Sequence, residues 1–178
     1  MALGNIKFLV MDVDGTLTDG KIYMGQDGEL FKAFHVKDGC GIKDILPVLG
    51  IRPIIITGRS SHIVENRCKE LGITLLFQDV SDKALKLKEI LTELSLKDGI
   101  VYSEQDVAFI GDDLPDLSCM RSVRDAGGIT ACPSDAAGCV KQAVNLVLGK
   151  RGGEGAVREL IDILTDKESI ERRTVEVE

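Results

Sequence analysis

A chain of 178 residues with 44% hydrophobic and 29% charged side chains has the length of one domain and the make-up of an ordinary soluble protein. A net charge of −7 excludes broad binding to a nucleic-acid backbone, while a phosphorylated small molecule needs only a few local positive groups. No apolar run approaches the roughly 20 residues that span a bilayer, and an odd set of five cysteines without a Cys-x-x-Cys pair argues against zinc or a disulfide framework and for a reducing cytoplasm.

The chain enters a predicted strand, Lys7–Met11, almost at once, which leaves no room for a signal peptide. That apolar run stops at Asp12-Val13-Asp14-Gly15-Thr16. Side chains alternate along a strand, so Asp12 and Asp14 point one way and Val13 the other. Two carboxylates crowded at the end of a buried strand repel each other and lose hydration, which calls for a cation. Next comes Lys21–Phe34, two β-prone arms around Asp27-Gly28, a hairpin signal. Its arms carry Ile22, Tyr23, Met24, Leu30, Phe31 and Phe34. An isolated hairpin is marginal in water, so this one is expected to pack against something, a neighbouring subunit being one candidate.

Further strands are predicted at Pro53–Thr57, Thr74–Phe77, Val107–Ile110 and Gly128–Ala131. Helices are predicted at Gly41–Leu49, Ser61–Leu71, Lys83–Leu94, Asp116–Val123, Asp135–Val144 and Ala156–Leu164. Regular alternation of strand and helix predicts an α/β fold, a doubly wound, Rossmann-like parallel sheet with ligands at the carboxyl ends of its strands. A single domain over 1–164, with a hairpin insertion at 21–34, would then be followed by a charged tail over 165–178 that frays or is disordered.

Three later strand ends bring polar groups to the edge that carries Asp12. They are Thr57-Gly58-Arg59, then Asp82-Lys83 opening a helix, then Gly111-Asp112-Asp113 with Asp116 one turn on. Each has a bland reading as a turn, a cap or a solvated helix residue. In this order on consecutive strand ends they form a kit for moving a phosphoryl group. Asp12 leads straight off its strand and is the nucleophile, able to form an acyl phosphate. Asp14 can protonate the leaving oxygen and then deprotonate the attacking water. A hard dication such as Mg²⁺ would be held by Asp12, Asp112 and Asp14, the last through its backbone carbonyl. Thr57 and the Gly58 amide can hydrogen-bond phosphate oxygens, and Lys83 supplies positive charge.

These motifs resemble those of the haloacid dehalogenase superfamily of aspartate-nucleophile phosphohydrolases. Response regulators share some of the parts, but there the acidic pair precedes the phosphorylated aspartate, and here it comes last. The gap from Asp14 to Thr57 is consumed by the hairpin and one helix, and that from Lys83 to Asp112 by one helix and one strand. Neither holds a cap domain. The open site must be closed by a neighbour, the C-terminal segment or a large substrate.

Asp19-Gly20 with Ile22–Gly25, Lys32–Phe34 with Asp38-Gly39 and Gly41–Lys43, Ile56–Arg59, Gly111–Leu114 and Gly152–Glu159 resemble the capless subgroup that includes the 3-deoxy-D-manno-octulosonate 8-phosphate phosphatases of lipopolysaccharide sugar synthesis. The resemblance implies a Mg²⁺-dependent hydrolase of a 2-keto-3-deoxy sugar acid phosphate. It also implies a homotetramer in which each hairpin joins a central barrel. Nine-carbon ulosonate 9-phosphates, or a non-catalytic oligomerisation module, are the alternatives. Arg59 suits a substrate carboxylate. Arg67 could reach one across an interface or pair with Glu65 or Glu70 on the surface. Gly152–Gly155 resembles a mobile flap with Arg158 as a possible contact, although helix entry would also explain those glycines. Two positions depart from the subgroup, Thr16 where valine is common and Glu154 where arginine is common.

Overall fold

The computed structural model describes residues 6–165, so the tail assigned to 165–178 lies, beyond Thr165, outside the described residues. Its centre is β1 (Phe8–Met11), whose four side chains are wholly buried. β1 runs parallel to β4 (Arg52–Ile56) on one side and β6 (Val107–Ile110) on the other. With β5 (Leu75–Phe77), β7 (Ile129–Cys132) and β8 (Leu146–Val147) the sheet has the order β5-β4-β1-β6-β7-β8, parallel throughout. Alternation along β1 splits the core into two layers. Leu9 and Met11 pack with Ile42, Leu46, Val64 and Leu160 on one face, and Phe8 and Val10 with Leu87, Leu91, Met120 and Val123 on the other. Among the described residues no helix is long and apolar enough to cross a membrane.

The hairpin is present as β2 (Tyr23–Gly25) and β3 (Gly28–Phe31), antiparallel and separate from the main sheet. The rings of Tyr23 and Phe31 stack at 4.2 Å, while Met24, Leu30 and Phe31 stay 62%, 64% and 51% exposed. The rest of the gap before Thr57 forms one helical run, α1 (Val36–Cys40), a π turn (Gly41–Ile45) and α2 (Leu46–Leu49). It begins before the expected Gly41. The Leu46 N–H reaches back to the Gly41 carbonyl, and Pro47, which lacks an N–H, follows the widened turn. After β4 come α3 (His62–Leu71) and β5, then α4 (Lys83–Asp98), which runs past the expected Leu94 and stops at Gly99 with φ 66°. α5 (Leu117–Asp125) follows β6.

Two expectations near the C-terminus need correction. The helix expected over Asp135–Val144 is only α6 (Gly138–Lys141), and β8, a two-residue strand with no length to show as an apolar run, was not foreseen. Residues ahead of α6 are held as a loop, because the Ala137 N–H donates to the Asp112 carbonyl at 2.9 Å and Asp135 accepts the Gly152 N–H at 3.0 Å. That second bond also explains why Gly152–Gly155 is no free flap. The segment packs on the loop after β1, with the Gly153 N–H donating to the Thr16 carbonyl at 3.1 Å. It then enters α7 (Ala156–Thr165), where buried Asp38 accepts the Arg158 N–H at 2.7 Å.

A β-carbon at Gly152 would lie 1.8 Å from the Gly15 carbonyl oxygen. Gly152→Ala is therefore expected to destabilise the protein by about 1–3 kcal/mol and to displace the loop after β1. Urea unfolding monitored by circular dichroism checks this; an unchanged midpoint contradicts the packing.

Candidate active site

Register carries the nucleophile to its place. Met11 is opposite Ile55 on β4 and Ile110 on β6, so the residues that leave these strands, Asp12, Thr57 and Gly111-Asp112, emerge side by side. The Asp12 N–H continues the ladder by donating to the Ile110 carbonyl at 3.0 Å, and the Thr57 N–H donates to the Phe77 carbonyl at 3.0 Å. Asp82 caps α4 by accepting the Leu85 N–H at 3.0 Å, which sets Lys83 at the first helical position, facing inward. An open cleft of about 310 Å³ is lined by Asp12, Asp14, Thr57, Gly58, Arg59, Lys83, Asp112, Asp113 and Asp116.

Lys83 is the hub of the cluster. Its side chain is 3% exposed, and its ammonium lies 2.7 Å from Asp12 Oδ1 and 2.6 Å from Asp116 Oδ1. Asp116 Oδ2 accepts the N–H groups of Asp112 and Asp113 at 3.0 and 3.2 Å, so this carboxylate fixes both the lysine and the acidic turn. Thr16 donates its hydroxyl to Asp112 Oδ1 at 3.3 Å, a bond that the more common valine would not make. Gly15, at φ 92°, allows this closeness, since a β-carbon there would meet Asp112 Oδ2 at 2.1 Å.

The electrostatics show a surplus of negative charge. Burial, aided by the Asp116 charge, pushes Asp12 up to about 6 even though Lys83 works the other way. Burial and the charges of Asp12 and Asp116 push Asp112 up to about 7. Burial alone would lower Lys83, yet the adjoining Asp12 and Asp116 carboxylates raise it above its ordinary value. Carboxylate oxygens of Asp12, Asp112 and Asp116 lie within 4.8 Å of one another. A hard dication fits this donor set. Asp116 is already engaged by Lys83 and two amides, and Asp12, Asp14 and Asp112 line the same cleft.

Asp14 faces the same cleft from a second charged group. Lys32 touches its Oδ1, and Arg59 Nε stands 3.6 Å from its Oδ2. The structure therefore brings together Asp12, Asp14, Thr57, Gly58, Arg59, Lys83 and Asp112. Arg67 and Arg158 stand apart. Arg67 pairs with Glu70 at 2.8 Å and lies over the Phe34 ring, while Arg158 pairs with Asp162 at 2.7 Å on α7. Sequence reasoning placed Asp116 near the acidic turn without giving it a task, and it passed over Lys32 and Glu29. A lysine between Phe31 and Ala33, in an otherwise apolar arm, was the available signal.

No family model matches the chain. Among curated proteins it is similar to the 3-deoxy-D-manno-octulosonate 8-phosphate phosphatase KdsC of Escherichia coli K12, 42% identical over 160 residues, which cover 90% of this chain and 79% of the relative. Among solved structures it resembles the 3-deoxy-D-manno-octulosonate 8-phosphate phosphatase of Yersinia pestis, with a TM-score of 0.83, 39% identity and coverage of 95% of this chain and 86% of that one. The enzyme of the same name from Moraxella catarrhalis, solved with magnesium, phosphate and a KDO molecule, matches with a TM-score of 0.80 and 36% identity over 99% of this chain and 95% of the other.

The raised Asp12 and Asp112 make protons compete with the cation. Mg²⁺ binds the ionised forms, so its affinity should climb as pH rises through 6 to 7, where these carboxyls lose their protons. Calorimetric titration of the metal-free protein with MgCl₂ across that range checks this, and a Kd independent of pH contradicts it.

Proposed function

The chain belongs to the 3-deoxy-D-manno-octulosonate 8-phosphate phosphatase family of the haloacid dehalogenase superfamily, and from this we infer that it is a Mg²⁺-dependent phosphomonoester hydrolase of that eight-carbon sugar acid phosphate. The observation that carries the reading is the convergence of Asp12, Asp14, Thr57, Lys83 and Asp112 on one cleft. A non-catalytic module has no use for so costly a group of buried charges.

In the reaction a carboxylate oxygen of Asp12 attacks phosphorus, and the bond from phosphorus to the sugar oxygen breaks. Asp14 gives its proton to that departing oxygen. The phosphoryl group now sits on Asp12 as an acyl phosphate. Asp14, ionised, takes a proton from water as the water attacks the same phosphorus, which frees inorganic phosphate and restores Asp12. Thr57 and the Gly58 amide donate to the phosphoryl oxygens, and Lys83 balances the charge that builds on them. Asp12, Asp112 and the Asp14 carbonyl would hold Mg²⁺, which would supply positive charge against the carboxylate cluster and the phosphoryl oxygens.

Arg59, half-exposed at the rim, is the group that we assign to the substrate carboxylate. The exposed Met24, Leu30 and Phe31 support a homotetramer in which hairpins meet and neighbours cover each cleft. Any contact of Arg67 or Arg158 with substrate would lie across such an interface. Five free cysteines suit a reducing cytoplasm.

Asp12→Asn and Asp14→Asn should each lower turnover by about 10³-fold or more with the fold retained by circular dichroism; a variant at Asp12 that still turns over removes it as nucleophile. Arg59→Ala should raise KM more for the eight-carbon sugar acid phosphate than for p-nitrophenyl phosphate, and the wild-type kcat/KM should favour the eight-carbon over the nine-carbon ulosonate phosphate. Equal effects of Arg59→Ala on both substrates would mean that it does not read the carboxylate, and a nine-carbon preference would reassign the substrate.

A further inference from the structure

The hairpin reaches the cleft through charge as well as through the chain. Lys32, one residue past β3, has a side chain 1% exposed, and its ammonium touches Asp14 and lies 2.9 Å from Glu29 Oε1. Glu29 accepts the Ser61 hydroxyl at 2.7 Å through Oε2, and its Oε1 stands 3.5 Å from Arg59 Nη2. Arg59 Nε closes the circuit at 3.6 Å from Asp14 Oδ2. The Asp14 carboxyl, the Lys32 ammonium, the Glu29 carboxylate and the Arg59 guanidinium thus alternate around a ring. Withdrawing the Lys32 ammonium from water is unfavourable unless it is matched, and apolar contacts would anchor a hairpin without that penalty. The expense needs a purpose at Asp14.

We propose that Lys32 and Glu29 are positioning residues for leaving-group protonation. Lys32 orients the Asp14 carboxyl toward the departing oxygen, and Glu29, itself held by Ser61, keeps the ammonium in place and offsets its charge. The proton passes between Asp14 and the leaving oxygen alone; Lys32 neither gives nor takes one. This rests on the reading of Asp14 as acid/base.

The test uses the ratio kcat/KM, which reports steps through phosphoryl transfer to Asp12. The sugar acid 8-phosphate expels an alkoxide that needs a proton, whereas p-nitrophenyl phosphate expels a phenolate that does not. Lys32→Met should cut kcat/KM by about 30-fold or more for the first and by about 3-fold or less for the second, with the loss in kcat. Lys32→Arg should restore most of it, and Glu29→Gln should show the same pattern more weakly. Equal losses on both substrates, or a loss confined to KM, would overturn the proposal. If Lys32→Met fails to fold, Glu29→Gln decides alone: the substrate-dependent loss supports the proposal and its absence overturns it. Asp14→Asn is the reference. Should it too fail to distinguish the substrates, the acid/base reading falls and the proposal with it; should it distinguish them while Lys32→Met does not, only the proposal falls.

Discussion

A buried ammonium with two carboxylates on it governs this site. Lys83 is withdrawn from water at the start of α4, a position tolerable only because Asp12 and Asp116 receive its charge. Each of those carboxylates is in turn committed by the lysine to one orientation. Asp116 spends its other oxygen on the amides of Asp112 and Asp113, so the acidic turn after β6 takes its shape from the same contact. The balance remains unequal, because Asp12, Asp112 and Asp116 bring more negative charge than Lys83 can neutralise. A divalent cation would offset that deficit; burial together with the neighbouring carboxylates holds the carboxyls of Asp12 and Asp112 above their usual range.

The sheet makes the contact possible. β1 is the central strand, flanked on both sides in parallel register, so residues from three strand ends share one edge without any long loop to hold them. Side chains placed by strands and by the first turn of a helix lose little entropy on binding, since the fold has already ordered them. The Gly152–Gly155 segment adds rigidity from the far side. It lies in backbone contact with the loop after β1, and Asp38 holds the start of α7 behind it. Asp14 therefore sits on a loop held between the hairpin charges and this glycine segment.

What was legible in the chain follows from these constraints. The fully buried strands announced themselves as apolar runs, and the polar residues at their ends followed in order, so the group that lines the cleft could be assembled from the chain alone. β8 could not be seen, because two residues carry no periodicity. The loop before α6 looked helical by pattern, and its backbone is instead held by Asp112 and Asp135 contacts that arise only in three dimensions. Glycines at 152–155 suggested mobility, yet at Gly152 and Gly153 another backbone passes too close for a side chain. Asp116 and Lys32 escaped for the same reason. Their meaning lies in partners far away in sequence, and local propensity carries no record of such pairs.

The residues that perform chemistry and those that select substrate are distributed differently. Asp12, Asp14, Thr57, Lys83 and Asp112 lie within one chain and line one cleft. The group assigned to selection, Arg59, stands at the rim, and its guanidinium is shared with Asp14 and Glu29. With no cap between Asp14 and Thr57 or between Lys83 and Asp112, the cleft stays open. The same gap that omits a cap holds the hairpin, whose outer side chains are apolar and exposed while Glu29 and Lys32 turn inward to the acid/base. One short insertion thus presents a face for a neighbour and a hand on the proton donor. Burial of that face in an assembly would stiffen the arm that carries Glu29 and Lys32, and so tie the completion of the substrate site to the alignment of the group that expels the product.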